Sequence, residues 1–483
     1  RRKAIAFCGF FRGFSAMRRF PLRATLGAVG VVGGLGAYVA VDERRRRLAF
    51  RAADLSRIWA PVLWSDSPQQ IAECMDASGP VFIKLGQWLS SRRDLFSVEL
   101  CDAMGVLHEH VSAHPSAEDE ALVQQTAQGA KLNRILGAGC IARVYEGTLD
   151  GKPVAIKIRR DYVEEFLQTD LYFLRCAASM AETLWPNLKW LMLDRALVDF
   201  KHYMLSQVNF EHEAANLRRF AENFSNGVAT VPRVFAASER VLVMEKVEGQ
   251  SLSTFLQQEQ DPVLRHKVWS VLSDQAAKMV LEDNFLHADL HPGNILVTME
   301  EKRKLFSRTL VPRLTFIDAG MALELPSGLV NHLRAAMKGA INGDAEALGQ
   351  ALVDLHKAEG LCSNADPSLP RRLGVLGLCG VFTCEEDLWG QLFHTRADYL
   401  AARTPEYFHR MAAIMTENEV RVSPMLWSLL TSFALVEGSL HELGFKTNVM
   451  RACLPYLMSN PLELLNRAWA SVRCSVSELL ASA

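Results

Sequence analysis

Net charge is almost absent. Lys+Arg 53 against Asp+Glu 54 leaves −1 at pH 7 over 483 residues. That balance excludes a generally basic nucleic-acid coat and a supercharged tail protein, so no nucleic-acid partner is expected. Cysteine is also sparse: ten residues, with no C-x-x-C pair and no zinc-like spacing. Neither a disulfide scaffold nor a structural zinc domain is expected, and the thiols read as small buried groups in a reducing compartment. No internal repeat is present. What the chain does have is apolar content, 49% hydrophobic against 22% charged. This is a globular composition, and the length predicts two or three domains.

The charge is unevenly placed. Residues 1–41 carry seven basic residues (Arg1, Arg2, Lys3, Arg12, Arg18, Arg19, Arg23) and no acid, which leaves −8 for the rest. The segment 1–23 reads as a mitochondrial targeting-like sequence. Residues 24–41 follow without a charge. As a helix they would span about 27 Å, just short of a hydrocarbon core of about 30 Å. Five of them are glycine, and Gly30 and Gly34 form a G-x-x-x-G pair. Such a pair lets two membrane helices approach closely, so 24–41 is a candidate transmembrane helix and a homodimer contact.

The periodicity then divides the chain. Residues 48–130 read as a helical extension, 131–158 as short strands separated by glycines, and 159–225 as helix. Residues 231–247 look like two strands joined by a turn. From 251 onward the pattern is helical, broken by short apolar strands at 295–297 and 314–317. Ser363–Pro370 reads as a polar loop. Strand-rich followed by helix-rich sequence predicts an α+β, two-lobed fold with a cleft: a smaller lobe over 131–247 and a helical lobe over 248–483.

Chemistry-bearing residues fall in a definite order. Gly137-Ala138-Gly139-Cys140-Ile141 is a glycine turn running into a strand through Val144. Two glycines let backbone N–H groups approach a phosphate with no Cβ in the way. In Val154-Ala155-Ile156-Lys157-Ile158, alternation puts Ala155 and Lys157 on one face. A mid-strand lysine needs an anionic partner. Helical spacing puts Phe210, Glu213, Leu217 and Phe220 on one apolar face, so Glu213 needs a cation. A Lys157–Glu213 pair would meet both needs and position the lysine on nucleotide phosphates. Next comes His287-Ala288-Asp289, with Asn294 five residues after Asp289 and a strand following. That is the arrangement of a kinase catalytic loop, with Asp289 to direct a nucleophile. Asp318-Ala319-Gly320 ends a second strand, so Asn294 and Asp318 are expected to hold Mg2+ against ATP phosphates. Backbone groups of Glu245 and Val247, where the lobes join, are expected to bind adenine. A competing metallo-hydrolase reading takes His287, Asp289 and His291 as ligands. It leaves Lys157, Glu213 and the Asp-x-Gly turn unexplained.

Upstream of this set stands Lys84-Leu85-Gly86-Gln87. With His287-x-Asp289 and the Lys157 to Glu213 spacing, it resembles the UbiB family, the aarF-domain-containing atypical kinases, and is most similar to the animal mitochondrial members. The resemblance covers roughly residues 65–360. It implies a protein-kinase-like fold in which the extension bearing Lys84, Gly86 and Gln87 regulates the site by folding over it. It also implies ATP and Mg2+ as cofactors and support of ubiquinone (coenzyme Q) biosynthesis. The implied setting is the mitochondrial inner membrane, facing the matrix, with a lipid or quinone-precursor client and contact with coenzyme Q biosynthetic proteins.

Several positions depart from the family. Its alanine-rich phosphate loop is Gly137-Ala138-Gly139 here. Its Glu-x-Asp is Gln207-Val208-Asn209, without the two negative charges. Ala288 stands where many kinases carry the arginine that grips a phosphorylated activation loop, and no Ala-Pro-Glu follows Asp318 at normal distance. Activation by loop phosphorylation is therefore not expected, and ATP hydrolysis coupled to a conformational change fits better than protein phosphorylation. The alternatives are a conventional protein Ser/Thr kinase and a non-catalytic nucleotide-binding scaffold.

Overall fold

The computed structural model describes residues 43–382 apart from 64–66, 91–97, 106, 108–116, 161–162, 185–192, 225–226, 305–306, 343, 359–361 and 363–365, together with residues 414 and 449–457. The basic segment 1–23 and the candidate membrane helix 24–41 lie outside the described residues. Among the described residues no helix is long and apolar enough to cross a membrane. The chain forms two compact units: residues 1–210 with 236–243, and residues 211–235 with 244–483.

The first unit opens with helices α1 (Glu43–Trp59), α2 (Pro68–Ser78), α3 (Pro80–Ser90), α4 (Val98–Gly105) and α5 (Ala117–Thr126). Pro80 starts α3 as its sequence position predicts, because proline at the first helical residue forfeits no helical hydrogen bond. Strands β1 (Lys131–Ala138), β2 (Ala142–Leu149) and β3 (Lys152–Arg159) follow, then helices α6 (Val163–Leu184) and α7 (Leu193–Val208). The strands lie in a five-stranded sheet of order β1-β2-β3-β6-β5, where β5 is Val234–Ala237 and β6 is Val241–Glu245. The alternation expected for β3 holds: Val154, Ile156 and Ile158 are fully buried.

A buried ion pair ties the extension to this unit. Arg51 of α1 donates from Nε and Nη2 to the two carboxylate oxygens of Asp170 in α6, at 2.7 and 2.8 Å. Its guanidinium also reaches the Ser78 carbonyl and lies 4.7 Å from the Phe166 ring centre. Asp170 is wholly buried, and burial pushes its carboxyl above the usual carboxylate range against the pull of Arg51. Removing one member strands the other charge away from water. Asp170→Ala is therefore expected to destabilise this unit by about 3–5 kcal/mol. A denaturant titration of the variant checks this; an unchanged midpoint would mean the pair is not buried as described.

The second unit contains α8 (Phe210–Asn223, all but its first residue), the short strands β4 (Ala229–Thr230) and β7 (Gln250–Ser251), and helices α9 (Leu252–Gln258) and α10 (Pro262–Leu281). Strands β8 (Phe285–His287), β9 (Ile295–Lys304), β10 (Ser307–Phe316) and β11 (Ala322–Glu324) come next. Helices α11 (Ser327–Asn342), α12 (Ala345–Ala358) and α13 (Leu369–Phe382) complete the continuous part, and a further helix spans Val449–Leu457. Ser251 caps α9 by accepting from Thr254 N–H, and Asp261 caps α10 by accepting from Val263 N–H. The sheets are β4-β10-β9-β7 and β11-β8. The aromatic face of α8 is buried as its spacing predicts, with Phe210, Leu217 and Phe220 at zero exposure.

Two sequence expectations are corrected. The strands expected only over 295–297 and 314–317 each run ten residues. Their outer halves form a ribbon that needs no apolar face, so hydrophobic runs mark only the ends that enter the sheet. Leu369 and Pro370, expected in a loop, begin α13. Proline is tolerated there because the first helical turn needs no N–H donor.

Candidate functional site

In the second unit the catalytic-loop candidates converge around His287. Its ring is fully buried among Phe220, at 5.7 Å between ring centres, and Phe316, at 5.9 Å. Phe220 in turn packs 4.6 Å from Phe285. Nε2–H of His287 donates to the Asp318 carbonyl, and Nδ1 accepts the Asp289 N–H at 3.2 Å. This pattern needs the neutral imidazole with its proton on Nε2. Burial pushes the pKa of His287 below the ordinary histidine range, against the opposing pull of the Asp289 and Asp318 carboxylates. His287 thus bolts the backbone of the Asp289 loop to the backbone of the Asp318 turn. With both nitrogens bonded to the protein, it is not a metal ligand. Among the described residues no group of three His, Cys, Asp or Glu side chains is placed to hold a metal. The bonding of both His287 nitrogens gives the metallo-hydrolase reading no support.

Asn294 and Asp318 come together through strand register. Phe316 of β10 pairs with Ile295 of β9, and the next N–H, of Ile317, donates to the Asn294 carbonyl at 3.0 Å. Asn294 Nδ2 donates to the Asp289 carboxylate at 3.1 Å and to its carbonyl at 3.2 Å. That orients the amide oxygen the other way. Asp318 Oδ1 accepts the Gly320 N–H at 3.0 Å, which closes the Asp-Ala-Gly turn. An amide oxygen and a carboxylate on neighbouring strand ends form a hard-oxygen pair, the donor chemistry that fits Mg2+. Glu213 of α8 is buried at 1% exposure. One turn further on, Asn216 Nδ2 donates to the Ala319 carbonyl at 2.9 Å, tying α8 to the same turn.

In the first unit, Val144 of β2 lies directly opposite Lys157 of β3, so Val144, Ala155 and Lys157 share a sheet face. The Lys157 ammonium lies 5.3 Å from the Phe210 ring centre. Lys157 and Glu213 belong to different units, and their pairing remains a proposal. The glycine turn is held from below: Arg160 Nε donates to the Gly139 carbonyl at 3.0 Å, and Arg160 N–H to the Ile141 carbonyl at 2.9 Å. Buried Asp119 steadies β2, accepting from Arg143 at 2.7 Å and from Tyr145 at 2.6 Å. A Cβ at Gly137 would meet no protein atom within 4 Å, and one at Gly139 would meet only the Ala142 carbonyl at 3.9 Å. Neither glycine is demanded by packing, and both are exposed with open space beside them, so a ligand could reach the backbone there. Glu245 N–H already donates to the Arg233 carbonyl at 2.8 Å, so its carbonyl is what it can offer a base. Val247 is half-buried just beyond the end of β6.

The extension meets the glycine turn inside this unit. Cys140 and Ile141 share one apolar core with Val81, Phe82 and Ile83 of α3. Burial pushes the Cys140 thiol up, and the nearby Lys84 ammonium pulls it the other way. Gln87 Nε2 donates to the Leu107 carbonyl at 2.9 Å. Gly86 is glycine for space: a Cβ there would lie 2.4 Å from Leu107 Cδ1 and 2.9 Å from Met75 Sδ. Sequence reading missed Asp119, Arg160 and Asn216. Each acts through a partner distant in the chain, and only the paired arginines 159–160 at a strand end hinted at one of them.

These arrangements define an atypical kinase-like domain. Residues 131–352 match the family model described as the ABC1 atypical kinase-like domain. The mitochondrial ABC1 family protein YPL109C of Saccharomyces cerevisiae is 32% identical over 49% of this chain and 40% of its own length. The probable protein kinase UbiB of Erwinia tasmaniensis is 26% identical over 65% of this chain and 59% of its own. Across four such curated relatives the chain spans 40–64% of their length. Among solved structures, Rv3197 of Mycobacterium tuberculosis, determined as an erythromycin complex, matches with a TM-score of 0.50 at 17% identity. The match covers 78% of this chain and 88% of that one. It establishes a shared fold. Over residues 131–352 the chain carries an ABC1 atypical kinase-like domain.

Proposed function

We propose that this chain is a mitochondrial, membrane-attached ATPase or small-molecule kinase that supports ubiquinone biosynthesis, with a lipid or quinone precursor as client. The observation that carries this reading is the His287 bolt between the Asp289 and Asp318 backbones, with the Asn294 amide bonded to the Asp289 carboxylate. Asn294 and Asp318 would hold Mg2+, and Lys157, steadied by Glu213, would hold the ATP phosphates over the glycine turn. Bound Mg-ATP supplies the phosphoryl group. Asp289 orients the hydroxyl or water that receives it, and Asn294 holds the Asp289 carboxylate in place. The packing of α3 against Cys140 and Ile141 favours a site closed to bulky protein substrates. That supports ATP hydrolysis or a small acceptor over protein phosphorylation. Mitochondrial relatives among the matches support the location, and the inner membrane and matrix side remain part of the proposal.

The test is quinone and precursor profiling in cells whose only copy is Asp318→Asn. Precursor accumulation with depleted ubiquinone is expected. A normal profile at normal protein abundance would remove the ubiquinone assignment and leave the fold standing.

A further inference from the structure

We infer that Asn216 is a positioning residue for the Mg2+ site: it aligns the Asp318 turn with the helix that carries Glu213. The inference rests on the nucleotide reading proposed above and deepens it. The turn has no large side chain to seat it. Ala319 is wholly buried, but a methyl group fills little space. Backbone bonds therefore set where the turn lies. His287 Nε2–H donates to the Asp318 carbonyl, and Ala288 N–H donates to the Met321 carbonyl at 3.0 Å. Gly320 N–H donates to Asp318 Oδ1 at 3.0 Å. These bonds come from the catalytic loop or from the turn itself. The bond from Asn216 Nδ2 to the Ala319 carbonyl, at 2.9 Å, comes from α8 instead.

Glu213 and Asn216 stand at i and i+3 on α8, so they are neighbours on one side of the helix. Helix geometry thus fixes Glu213 relative to the Ala319 carbonyl, and through one peptide unit relative to Asp318. The helix has other anchors in the second unit. Phe220 packs 4.6 Å from Phe285, and Phe224 packs 5.5 Å from Phe316. Lys278 of α10 donates to the Asn223 carbonyl at 3.0 Å. Arg219 lies 4.1 Å from the Phe285 ring centre and pairs with Glu324 at 3.1 Å. These contacts hold α8 in place, and none of them includes residues 318–320. Asn216 itself is only half-buried and polar, so it adds little apolar packing. What its amide does is hold, from behind, the backbone that presents a metal-binding carboxylate. Partners of that kind set how well a ligand group meets its metal.

The test compares Asn216→Ala with Arg219→Ala in the full chain. Without nucleotide, hydrogen–deuterium exchange over 317–321 should quicken in Asn216→Ala only, with the cooperative melt retained. In magnesium titrations of ATP turnover, Asn216→Ala should need about tenfold more magnesium for half-saturation, while turnover at saturating magnesium stays within about twofold of wild type. Arg219→Ala, which loosens the same helix without touching the turn, should change neither readout. A merely structural role would lower maximal turnover and the melt together and leave the magnesium requirement alone. That pattern would overturn the inference. So would unchanged exchange over 317–321, or an unchanged magnesium requirement alongside active wild type. Wild-type protein that binds no Mg-ATP would instead sink the nucleotide reading, and the exchange experiment would still decide whether Asn216 holds the turn.

Discussion

Asp318→Asn is expected to lower Mg-dependent ATP turnover by at least about a hundredfold while leaving thermal unfolding nearly unchanged. The structure separates the two effects. The Asp318 groups that hold the turn are its backbone carbonyl, which accepts from His287, and Oδ1, which accepts from Gly320 N–H at 3.0 Å. Asparagine keeps both. What it loses is the negative charge that, with the Asn294 amide oxygen, suits a divalent cation. Asp318→Ala would lose the turn bond as well, so the asparagine variant is the cleaner probe. Turnover across a magnesium titration, with a melting curve on the same material, decides it. Retained activity at ordinary magnesium would mean that Asp318 is structural.

Lys157→Met is the second large effect. It should weaken ATP turnover by about a hundred- to a thousandfold, comparable to removing one strong electrostatic donor from a preorganised site. Methionine keeps the unbranched stem, so the packing over Phe210, where the ammonium stands 5.3 Å from the ring centre, is largely retained. Lys157→Arg is not expected to rescue, because a planar fork cannot replace a compact ammonium beside Ala155. Steady-state kinetics on both variants, with circular dichroism melts, gives the answer. Loss of stability in parallel with activity would make Lys157 a packing residue. Full activity in Lys157→Met would remove it from the site.

Much of this was legible in the sequence because it rests on period and order. The spacing of Phe210, Glu213, Leu217 and Phe220 fixes the buried face of α8. The alternation of Val154, Ile156 and Ile158 fixes the face of β3 that enters the core. The order from the glycine turn through Lys157, Glu213, Asp289 and Asn294 to Asp318 identifies the kinase-like domain. The hidden part consists of polar contacts between residues remote in the chain. His287 was legible as part of a motif, but its task of joining the Asp289 and Asp318 backbones needs the strand register. Asn216 looks like any polar residue on a helix until Ala319 arrives beside it. Arg160 and Asp119 hold the glycine turn and its strand from outside any motif. Gly86 is legible as a family residue, yet its reason is the approach of Leu107 and Met75. The ribbon was missed because a two-stranded extension needs backbone pairing rather than an apolar face. Its charged sequence therefore resembles a loop.

The central claim of the proposed function is that Lys157, Asn294 and Asp318 serve one magnesium-bound nucleotide. Isothermal calorimetry of ATP into folded protein, with and without magnesium, tests it most directly. The account predicts saturable one-to-one binding that strengthens with magnesium, with the magnesium dependence lost in Asp318→Asn and the affinity lowered in Lys157→Met. No binding heat at any temperature tried, from protein with an intact cooperative melt, would contradict it.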